Sequence, residues 1–189
     1  MLQVVTGGSA SGKSAYAEKL VQGWGTPLRY YLATMQPWGE EGALRAARHR
    51  NMRAGKGFVT VEAYHHLEAL SFGFGPQGGS GAAQDTAILL ECMSNLVANE
   101  QFQAGGSDEE VLGRIDRGIR RLQDCAAYVA VVTNEVFSDG AGYGEETMRY
   151  LRLLGQANRR LAAVADRVVE VVYGLEVEWK PLRPPNGSG

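Results

Sequence analysis

The chain has 189 residues and a mass of 20.4 kDa, which suits one domain with a sizeable core and is short for two. Its hydrophobic fraction of 44% and charged fraction of 21% are typical of a soluble globular protein and exclude a disordered or fibrous one. The formal net charge of −2 argues against general nucleic-acid binding, because counterion release requires a broad basic surface.

The cysteines and the hydrophobic pattern indicate the cellular compartment of the protein. Cys92 and Cys125 are far apart and lack metal-site spacing, so we expect neither a disulfide framework nor a zinc site. The sequence shows no charged leader and no run of about 18 apolar residues. We therefore expect a cytoplasmic protein without a membrane segment.

The first half of the chain alternates short apolar runs with helix-forming segments. The runs are too short for core helices and are rich in strand-forming residues. Gly55 follows the second helical segment and is a typical C-terminal cap. The predicted elements are strands at 2–5, 28–35 and 57–62, helices at about 13–21 and 40–55, and a short helix within 64–72.

The second half repeats this alternation after a glycine-rich segment at 73–85, which we predict to be a mobile surface loop. Strands that alternate with helices form a mostly parallel sheet. We predict an α/β fold of the P-loop NTPase type, with a doubly wound sheet covered by helices on both faces, in a single domain at 1–180 and a flexible tail at 181–189. The further elements are strands at 86–92, 128–135 and 167–174 and helices at about 93–103, 108–124 and 144–165.

The segment GGSASGKS fits the P-loop pattern and lies between a predicted strand and a predicted helix. Backbone N–H groups at the start of such a helix bind phosphates, the lysine neutralises the β- and γ-oxygens, and the serine hydroxyl can ligate Mg²⁺. A plain glycine turn is the alternative interpretation. The nucleotide-binding candidates are Gly7, Gly8, Ser9, Ala10, Ser11, Gly12, Lys13 and Ser14.

Two further strand ends carry polar residues. P-loop proteins need a second carboxylate near the magnesium, and Glu91 follows a fully apolar run. Thr133, Asn134 and Glu135 end another strand, and the carboxyl ends of parallel strands meet at the ligand crevice. The alternatives are an ordinary strand-end carboxylate for Glu91 and capping or turn roles for the other three.

The segment RAARHRNMR places one histidine among arginines on a predicted helix. Arg45, His49 and Arg53 are spaced i, i+4 and i+8 and share one face, while Arg48 and Arg50 flank the histidine. Cationic neighbours disfavour protonation of an imidazole whose ordinary pKa is about 6.5, so its neutral, nucleophilic form is populated at pH 7. A solvated basic helix face is the alternative. We predict no functional role for His65 or His66.

Beyond these single motifs, an ordered set of segments resembles the bifunctional adenosylcobinamide kinase / adenosylcobinamide-phosphate guanylyltransferase family of cobalamin biosynthesis. The resemblance covers nearly the whole chain, from Leu2 to about Val177. The Arg-x-x-x-His-x-x-x-Arg helix and the Thr-Asn-Glu-Val strand end are its more specific parts. The segments are VTGGSASGKS, YYLAT, RAARHRNMR, VTVE, ILLEC, VVTNEV and LGQANRRLAAVADRVVEVVYGL.

This resemblance implies two reactions. In the first, ATP or GTP gives its γ-phosphoryl group to the aminopropanol hydroxyl of adenosylcobinamide, with Mg²⁺ as cofactor and Lys13 and Ser14 at the phosphates. In the second, His49 attacks the α-phosphorus of GTP, and the resulting GMP-histidine passes GMP to adenosylcobinamide phosphate, giving adenosylcobinamide-GDP. Arg45 and Arg53 are then catalytic together with His49 and Lys13.

The resemblance also implies a homotrimer and additional nucleotide contacts, by Ala33, Thr34, Met35, Arg50, Glu62 and Glu91. Two stretches depart from the family pattern, residues 137–142 after the Thr-Asn-Glu-Val motif and residues 53–60 at the end of the basic helix, where Phe58 stands in for the aromatic residue of the family's Trp/Arg-Thr pattern. Two other hypotheses remain open at this point. One is a P-loop kinase without the guanylyltransferase activity, and the other is a nucleotide-binding module that does not turn over.

Overall fold

A computed structural model describes residues 1–37, 39, 44, 47, 51, 53, 55–71, 81–134 and 143–182. Within these residues the fold is a seven-stranded sheet with α-helices and two short helices of other types. The strands are β1 (Leu2–Thr6), β2 (Leu28–Ala33), β3 (Val59–Glu62), β4 (Thr86–Glu91), β5 (Tyr128–Val132), β6 (Arg167–Val172) and β7 (Leu175–Lys180). The α-helices are α1 (Lys13–Gly23), α2 (Gly81–Gln84), α3 (Met93–Asn99), α4 (Asp108–Cys125) and α5 (Glu145–Val164).

The strand order in the sheet is β3-β2-β4-β5-β1-β6-β7, and every neighbouring pair except β6 and β7 is parallel. Parallel neighbours need crossover connections, which the helices between the strands supply. The β1 strand lies inside the sheet between β5 and β6, so the loop that follows it emerges at the middle of the carboxyl edge. The mostly parallel α/β architecture predicted from the sequence is confirmed.

Helices cover both faces of the sheet. Alternate residues of the central strands point to opposite faces, so each strand contributes to two separate cores. One core packs Val4 and Ile88 against α3, α4 and α5, and the other packs Val5 and Leu89 against α1. With both faces covered, the edge formed by the strand ends is the surface that is left for a ligand.

Several boundaries differ from the predictions. β7 is an antiparallel strand that was not among the predicted elements, and it extends to Lys180, directly before the expected C-terminal tail. Leu175, Val177 and Trp179 alternate with charged residues, a period-two pattern that marks this strand. The glycine-rich segment contains α2 at its end, so the prediction of a loop over 81–84 is wrong, and residues 73–80 lie outside the described part.

Other predicted elements are shorter or divided. The helix expected at 93–103 consists of α3 and a π-helix at Glu100–Ala104, and the short helix expected within 64–72 is a 3₁₀-helix at Leu67–Ala69. β5 ends at Val132, before the predicted limit of 135. The helix predicted at 40–55 is helical at the described positions 44, 47, 51 and 53. None of the described helices is both long enough and apolar enough to span a membrane.

Candidate functional site

The loop between β1 and α1 has the backbone conformation that its glycines permit. Gly7 and Gly12 have φ values of 151° and 93°, in the region that favours glycine. A Cβ atom on Gly7 would lie 2.5 Å from the carbonyl oxygen of Val171, so no larger residue fits there. Lys13 Nζ donates a 2.9 Å hydrogen bond to the carbonyl oxygen of Gly8, which holds the ammonium group over the loop. The predicted P-loop therefore has the compact form that a phosphate-binding loop requires.

Ser14 and Glu91 meet between this loop and the end of β4. Ser14 Oγ donates a hydrogen bond of 2.5 Å to Glu91 Oε1, while Glu91 Oε2 is buried without a hydrogen-bond partner among the described residues. Burial raises the pKa of Glu91, partly offset by the hydrogen bond from Ser14. A hydroxyl beside an unpartnered carboxylate oxygen is a donor set that fits Mg²⁺, which prefers oxygen ligands.

The sheet register aligns further predicted residues with Glu91. Ala33 at the end of β2 is the register partner of Glu91 on one side and of Glu62 on the other. The backbone N–H of Thr34 donates to the carbonyl oxygen of Glu91 at 3.0 Å. Glu62, Ala33 and Glu91 therefore form one row along the carboxyl edge, and Glu91 is the member of the row that contacts Ser14.

Thr34 is fully buried, and its side chain contacts the backbone next to Glu91. Its hydroxyl donates to the carbonyl oxygen of Cys92 at 2.8 Å and accepts from the N–H of Cys92 at 2.6 Å. Asn99, at the end of α3, donates from Nδ2 to the carbonyl oxygens of Thr34 at 2.8 Å and of Tyr64 at 2.9 Å. These bonds join the ends of β2, β3 and β4 into one hydrogen-bonded unit.

Thr133 and Asn134 continue this polar layer after β5. Thr133 Oγ1 donates to Asn158 Oδ1 at 2.7 Å, and Asn134 Nδ2 donates to Ser94 Oγ at 2.9 Å. Ser94 Oγ also lies 2.9 Å from Cys92 Sγ. The side chains predicted to line the site are thus bonded to α3 and α5, which positions the end of β5 against the end of β4.

Residues at and just after the C-terminal end of the basic segment 38–54 contact the sheet and α1. The Arg53 guanidinium lies 3.9 Å from the centre of the Tyr31 ring, and the Arg53 residue is 8% exposed. Arg53 Nε is buried and has no hydrogen-bond partner among the described residues. Lys56 forms an ion pair with Glu18 of α1. These contacts fix the end of the segment on the face of the sheet that carries Glu91.

The other end of the segment is bonded through glutamine side chains. Gln103 Nε2, in the π-helix, donates to Gln36 Oε1 at 2.6 Å and to Asn99 Oδ1 at 3.1 Å. Gln36 closely precedes the segment in the chain, and Asn99 bonds the end of β2. Gln36, before the segment, and Arg53, within it, therefore both contact residues near the row of strand ends.

Four of the predicted site residues lie outside the described part of the chain: Arg45, His49, Arg50 and Glu135. The flanking Arg48 and the departing residues 137–142 also lie outside it. Sequence reasoning did not single out Asn99, Tyr31 or Gln103. A buried Asn at the end of a helix and a Tyr within an apolar strand carry no local signal of these contacts, because their partners are distant in sequence.

A second cluster of possible metal ligands is explained by an ion pair that stabilises the fold. Side chains of His66, Glu68 and Glu100 lie close enough together to hold a metal ion. Glu100 is 1% exposed and accepts hydrogen bonds from Arg114 Nε and from the N–H of His66, each at 2.6 Å. Glu100 and Arg114 therefore form a buried ion pair. Together with the bond from His66, this pair attaches α4 to the loop after β3.

Two solved structures are similar to this chain in fold. The flagellar accessory protein FlaH from Methanocaldococcus jannaschii is similar with a TM-score of 0.50 at 12% identity, covering 95% of this chain and 77% of that one. A solved ATPase domain is similar with a TM-score of 0.52 at 11% identity, covering 89% of this chain and 68% of that one. At these identities the similarity shows the fold, and it confirms the P-loop NTPase type.

Sequence relatives are more specific. The bifunctional adenosylcobalamin biosynthesis protein CobU of Salmonella typhimurium is 38% identical over 194 residues, covering 95% of this chain and 100% of that protein. The CobU protein of Escherichia coli is 34% identical over the same shares. The CobP protein of Pseudomonas aeruginosa is 27% identical, covering 95% of this chain and 98% of that protein. The family model for cobinamide kinase / cobinamide phosphate guanyltransferase matches residues 3–179, and the chain belongs to this family.

Proposed function

We propose that the protein phosphorylates the aminopropanol hydroxyl of adenosylcobinamide with ATP or GTP and then transfers GMP from GTP to the product, giving adenosylcobinamide-GDP. The observation that carries the proposal is the contact between Ser14 of the P-loop and Glu91 in a chain of this family. A glycine turn without a function would not place a buried carboxylate at the first turn of the following helix. We also propose that the protein is cytoplasmic, as the sequence pattern favours, and that it is a homotrimer, as the family resemblance implies.

In the kinase step, the backbone N–H groups of residues 7–14 bind the phosphates of the donor nucleotide. Lys13 leaves the carbonyl oxygen of Gly8 to neutralise charge on the β- and γ-phosphates. Ser14 and Glu91 would hold Mg²⁺, which would supply positive charge to the phosphate oxygens. The substrate hydroxyl then forms a bond to the γ-phosphorus as the bond to the β-phosphate oxygen breaks.

In the guanylyl-transfer step, a neutral nitrogen of His49 forms a bond to the α-phosphorus of GTP, and pyrophosphate leaves. Arg45, Arg50 and Arg53 neutralise charge that develops on the phosphate oxygens. A phosphate oxygen of adenosylcobinamide phosphate next attacks the same phosphorus and releases the histidine. The contacts of Gln36 and Arg53, which lie before and after His49 in the chain, with residues near the strand ends support this use of His49.

The remaining nucleotide contacts follow the same row of residues. Ala33, Met35 and Glu62 lie at or next to the register row of Glu91, and Met35 is 46% exposed. We propose that these three contact the nucleotide from the solvent side. Thr34 is completely buried, so we propose that it takes part through its backbone and through the position that it gives to Glu91.

The test of the proposal is covalent labelling with GTP that carries a radioactive α-phosphate. With Mg²⁺ present, the wild-type protein should retain a label that is labile to acid and stable to alkali, as expected for a phosphorus–nitrogen bond. His49→Ala should remove the label, and His65→Ala, which changes an exposed histidine, should keep it. An unlabelled wild-type protein that still phosphorylates adenosylcobinamide would reduce the function to that of a kinase.

A further inference from the structure

The turn between β6 and β7 lies against the P-loop. The N–H of Gly174 donates to the carbonyl oxygen of Ser11 at 2.8 Å. A Cβ atom on Gly12 would lie 3.5 Å from the Cα atom of Gly174, so the two backbones are in close contact. The residue before Gly174 is Tyr173, which is therefore adjacent to the loop that binds phosphate.

Tyr173 has an unfavourable backbone conformation for its residue type. Val172 pairs with Leu175, and the two residues between them have φ values of 50° for Tyr173 and 79° for Gly174. Two-residue hairpin connections with positive φ at both positions favour Asn, Asp or Gly at the first one. A bulky side chain there is strained, and strain of this kind is concentrated at functional sites.

Packing within the chain does not explain the tyrosine. Tyr173 is 94% exposed, the highest value among the exposed large hydrophobic residues of the described chain. An aromatic ring in water contributes none of the burial energy that would offset the strain of the turn. The ring is therefore available to an external group beside the P-loop.

The hairpin is also fixed relative to the helix that follows the P-loop. Tyr16, in the first turn of α1, donates from its hydroxyl to Glu176 Oε2 at 2.5 Å. Arg167 of β6 pairs with Glu176 at 2.5 Å and with Glu178 of β7 at 2.5 Å. These bonds hold the turn at a constant distance from Lys13 and Ser14, so a group placed on Tyr173 is preorganised relative to the phosphates.

We propose that Tyr173 is the stacking platform for the purine base of the nucleotide whose phosphates occupy the P-loop. The ribose joins the base directly to the α-phosphate, so the base must lie on a surface that borders the loop. An exposed phenol ring at that border offers a π-face on which a base can stack. Stacking does not depend on the hydrogen-bonding groups of the base, so adenine and guanine stack on Tyr173 equally well. The proposal rests on the proposed function only in that a nucleotide binds at the P-loop.

The test compares two substitutions of Tyr173 in the full chain by calorimetric titration with ATP, GTP and inorganic tripolyphosphate. Tyr173→Asn removes the ring and suits the turn, whereas Tyr173→Phe keeps the ring. We expect Tyr173→Asn to bind both nucleotides roughly tenfold more weakly, to bind tripolyphosphate as the wild type does, and to have an equal or higher Tm. Tyr173→Phe should bind all three as the wild type does. Trp179→Leu, which removes another exposed aromatic ring of the same hairpin, is the matched control and should leave all three affinities unchanged.

Three results would overturn the proposal. They are unchanged nucleotide affinity in Tyr173→Asn, an equal loss of tripolyphosphate affinity in that variant, and an equal loss of nucleotide affinity in Trp179→Leu. A wild-type protein that binds nucleotide through Tyr173 and takes no label from GTP would instead remove the guanylyltransferase half of the proposed function and keep the base platform. The two failures are therefore distinguishable.

Discussion

Ser14 Oγ and Glu91 Oε1 are joined by a hydrogen bond of 2.5 Å although they are 77 residues apart in sequence. The bond connects the first turn of α1 to the end of β4, on the face of the sheet that packs against α1. Only one oxygen of the carboxylate takes part, and the other is buried without a partner among the described residues. A buried, half-bonded carboxylate lowers stability, so its presence is best explained by a function.

The variant Glu91→Gln should show how much stability the buried carboxylate costs, independently of its function. Because burial raises the pKa of Glu91, the ionised form is disfavoured in the folded state, and a neutral amide that still accepts from Ser14 should raise the Tm at pH 7. The gain should disappear as the pH falls through the raised pKa, where the wild-type side chain is neutral as well. Thermal unfolding at several pH values measures this difference.

The same variant should lose the contribution of Mg²⁺ to nucleotide binding. We expect the affinity for ATP in the presence of Mg²⁺ to fall at least about tenfold, and the affinity in the presence of a chelator to stay unchanged. Asp124→Asn, which changes an exposed carboxylate near the end of α4 and away from the strand ends, is the control for a general charge effect. Equal losses with and without Mg²⁺ in Glu91→Gln would contradict the assignment of Glu91 as a metal ligand.

Thr34→Val tests whether the Thr34 hydroxyl positions Glu91. Valine has nearly the same shape but leaves the buried N–H of Cys92 without its partner, which should cost about 1–3 kcal/mol in the free energy of unfolding. The carbonyl oxygen of Cys92 keeps its hydrogen bond from the N–H of Leu96. The affinity for nucleotide should fall in the presence of Mg²⁺ and stay unchanged in the presence of a chelator. Thr34→Ser keeps the hydroxyl and should restore both. Weaker binding of the metal-free nucleotide in Thr34→Val would instead indicate a direct nucleotide contact.

The sequence predicted the parts of the fold that depend on local patterns. The apolar runs gave the parallel strands, and GGSASGKS gave the P-loop, because each signal lies within a few neighbouring residues. The hydroxyl of Thr34, the amide of Asn99 and the ring of Tyr31 act on partners from distant parts of the chain, so only the register of the strands brings them together. β7 differs from these cases, since its local alternation of apolar and charged residues does predict a strand, directly after β6 and its two-residue turn.

The family membership and the two activities that it carries were predicted correctly, and the family model matches nearly the whole chain. The roles of His49 and its neighbouring arginines remain predictions. They depended on the resemblance, because the spacing of Arg45, His49 and Arg53 alone fits a solvated helix face equally well. The burial of Arg53 on Tyr31 is a tertiary contact that a helical spacing does not contain.

Tyr31→Leu should weaken the attachment of the 38–54 segment. Loss of the ring removes the cation–π contact with Arg53 and the edge-to-face contact with Phe58, at a cost of about 1–3 kcal/mol in stability. We expect slower formation of the covalent GMP adduct and an unchanged affinity for ATP at the P-loop. Tyr31→Phe keeps the ring and should label at nearly the wild-type rate.

A control is needed for the loss of stability in Tyr31→Leu. Tyr128→Leu removes a stacked ring from the same face of the sheet, where Tyr128 packs on Trp24 with ring centres 5.2 Å apart. It should lower the Tm by a similar amount without slowing the labelling reaction. If both variants label equally slowly, then the effect of Tyr31→Leu is general destabilisation.

Asn99 should couple the strand ends to the start of the 38–54 segment. Its Nδ2 group bonds the ends of β2 and β3, and its Oδ1 accepts from Gln103, which also bonds Gln36. Asn99→Asp keeps the size and the acceptor but places a carboxylate against two carbonyl oxygens, so it should be less stable than the wild type by about 1–3 kcal/mol. Because both the Glu91 site and the segment depend on this residue, we expect kinase activity and covalent labelling to fall together.

Gln103→Leu separates the bonds that Asn99 makes to the strand ends from those that lead to the 38–54 segment. It removes only the bond to Gln36 and the bond to Asn99 Oδ1. The end of β2 stays attached through Asn99 Nδ2, so the kinase kcat should be retained while the labelling rate falls several-fold, as expected for the loss of positioning. The ratio of the two rates, measured on one preparation, is independent of the fraction of folded protein. A variant that lowers both rates equally would show that Gln36 and Gln103 do not position the segment, and that the polar layer at the strand ends acts as one structural unit.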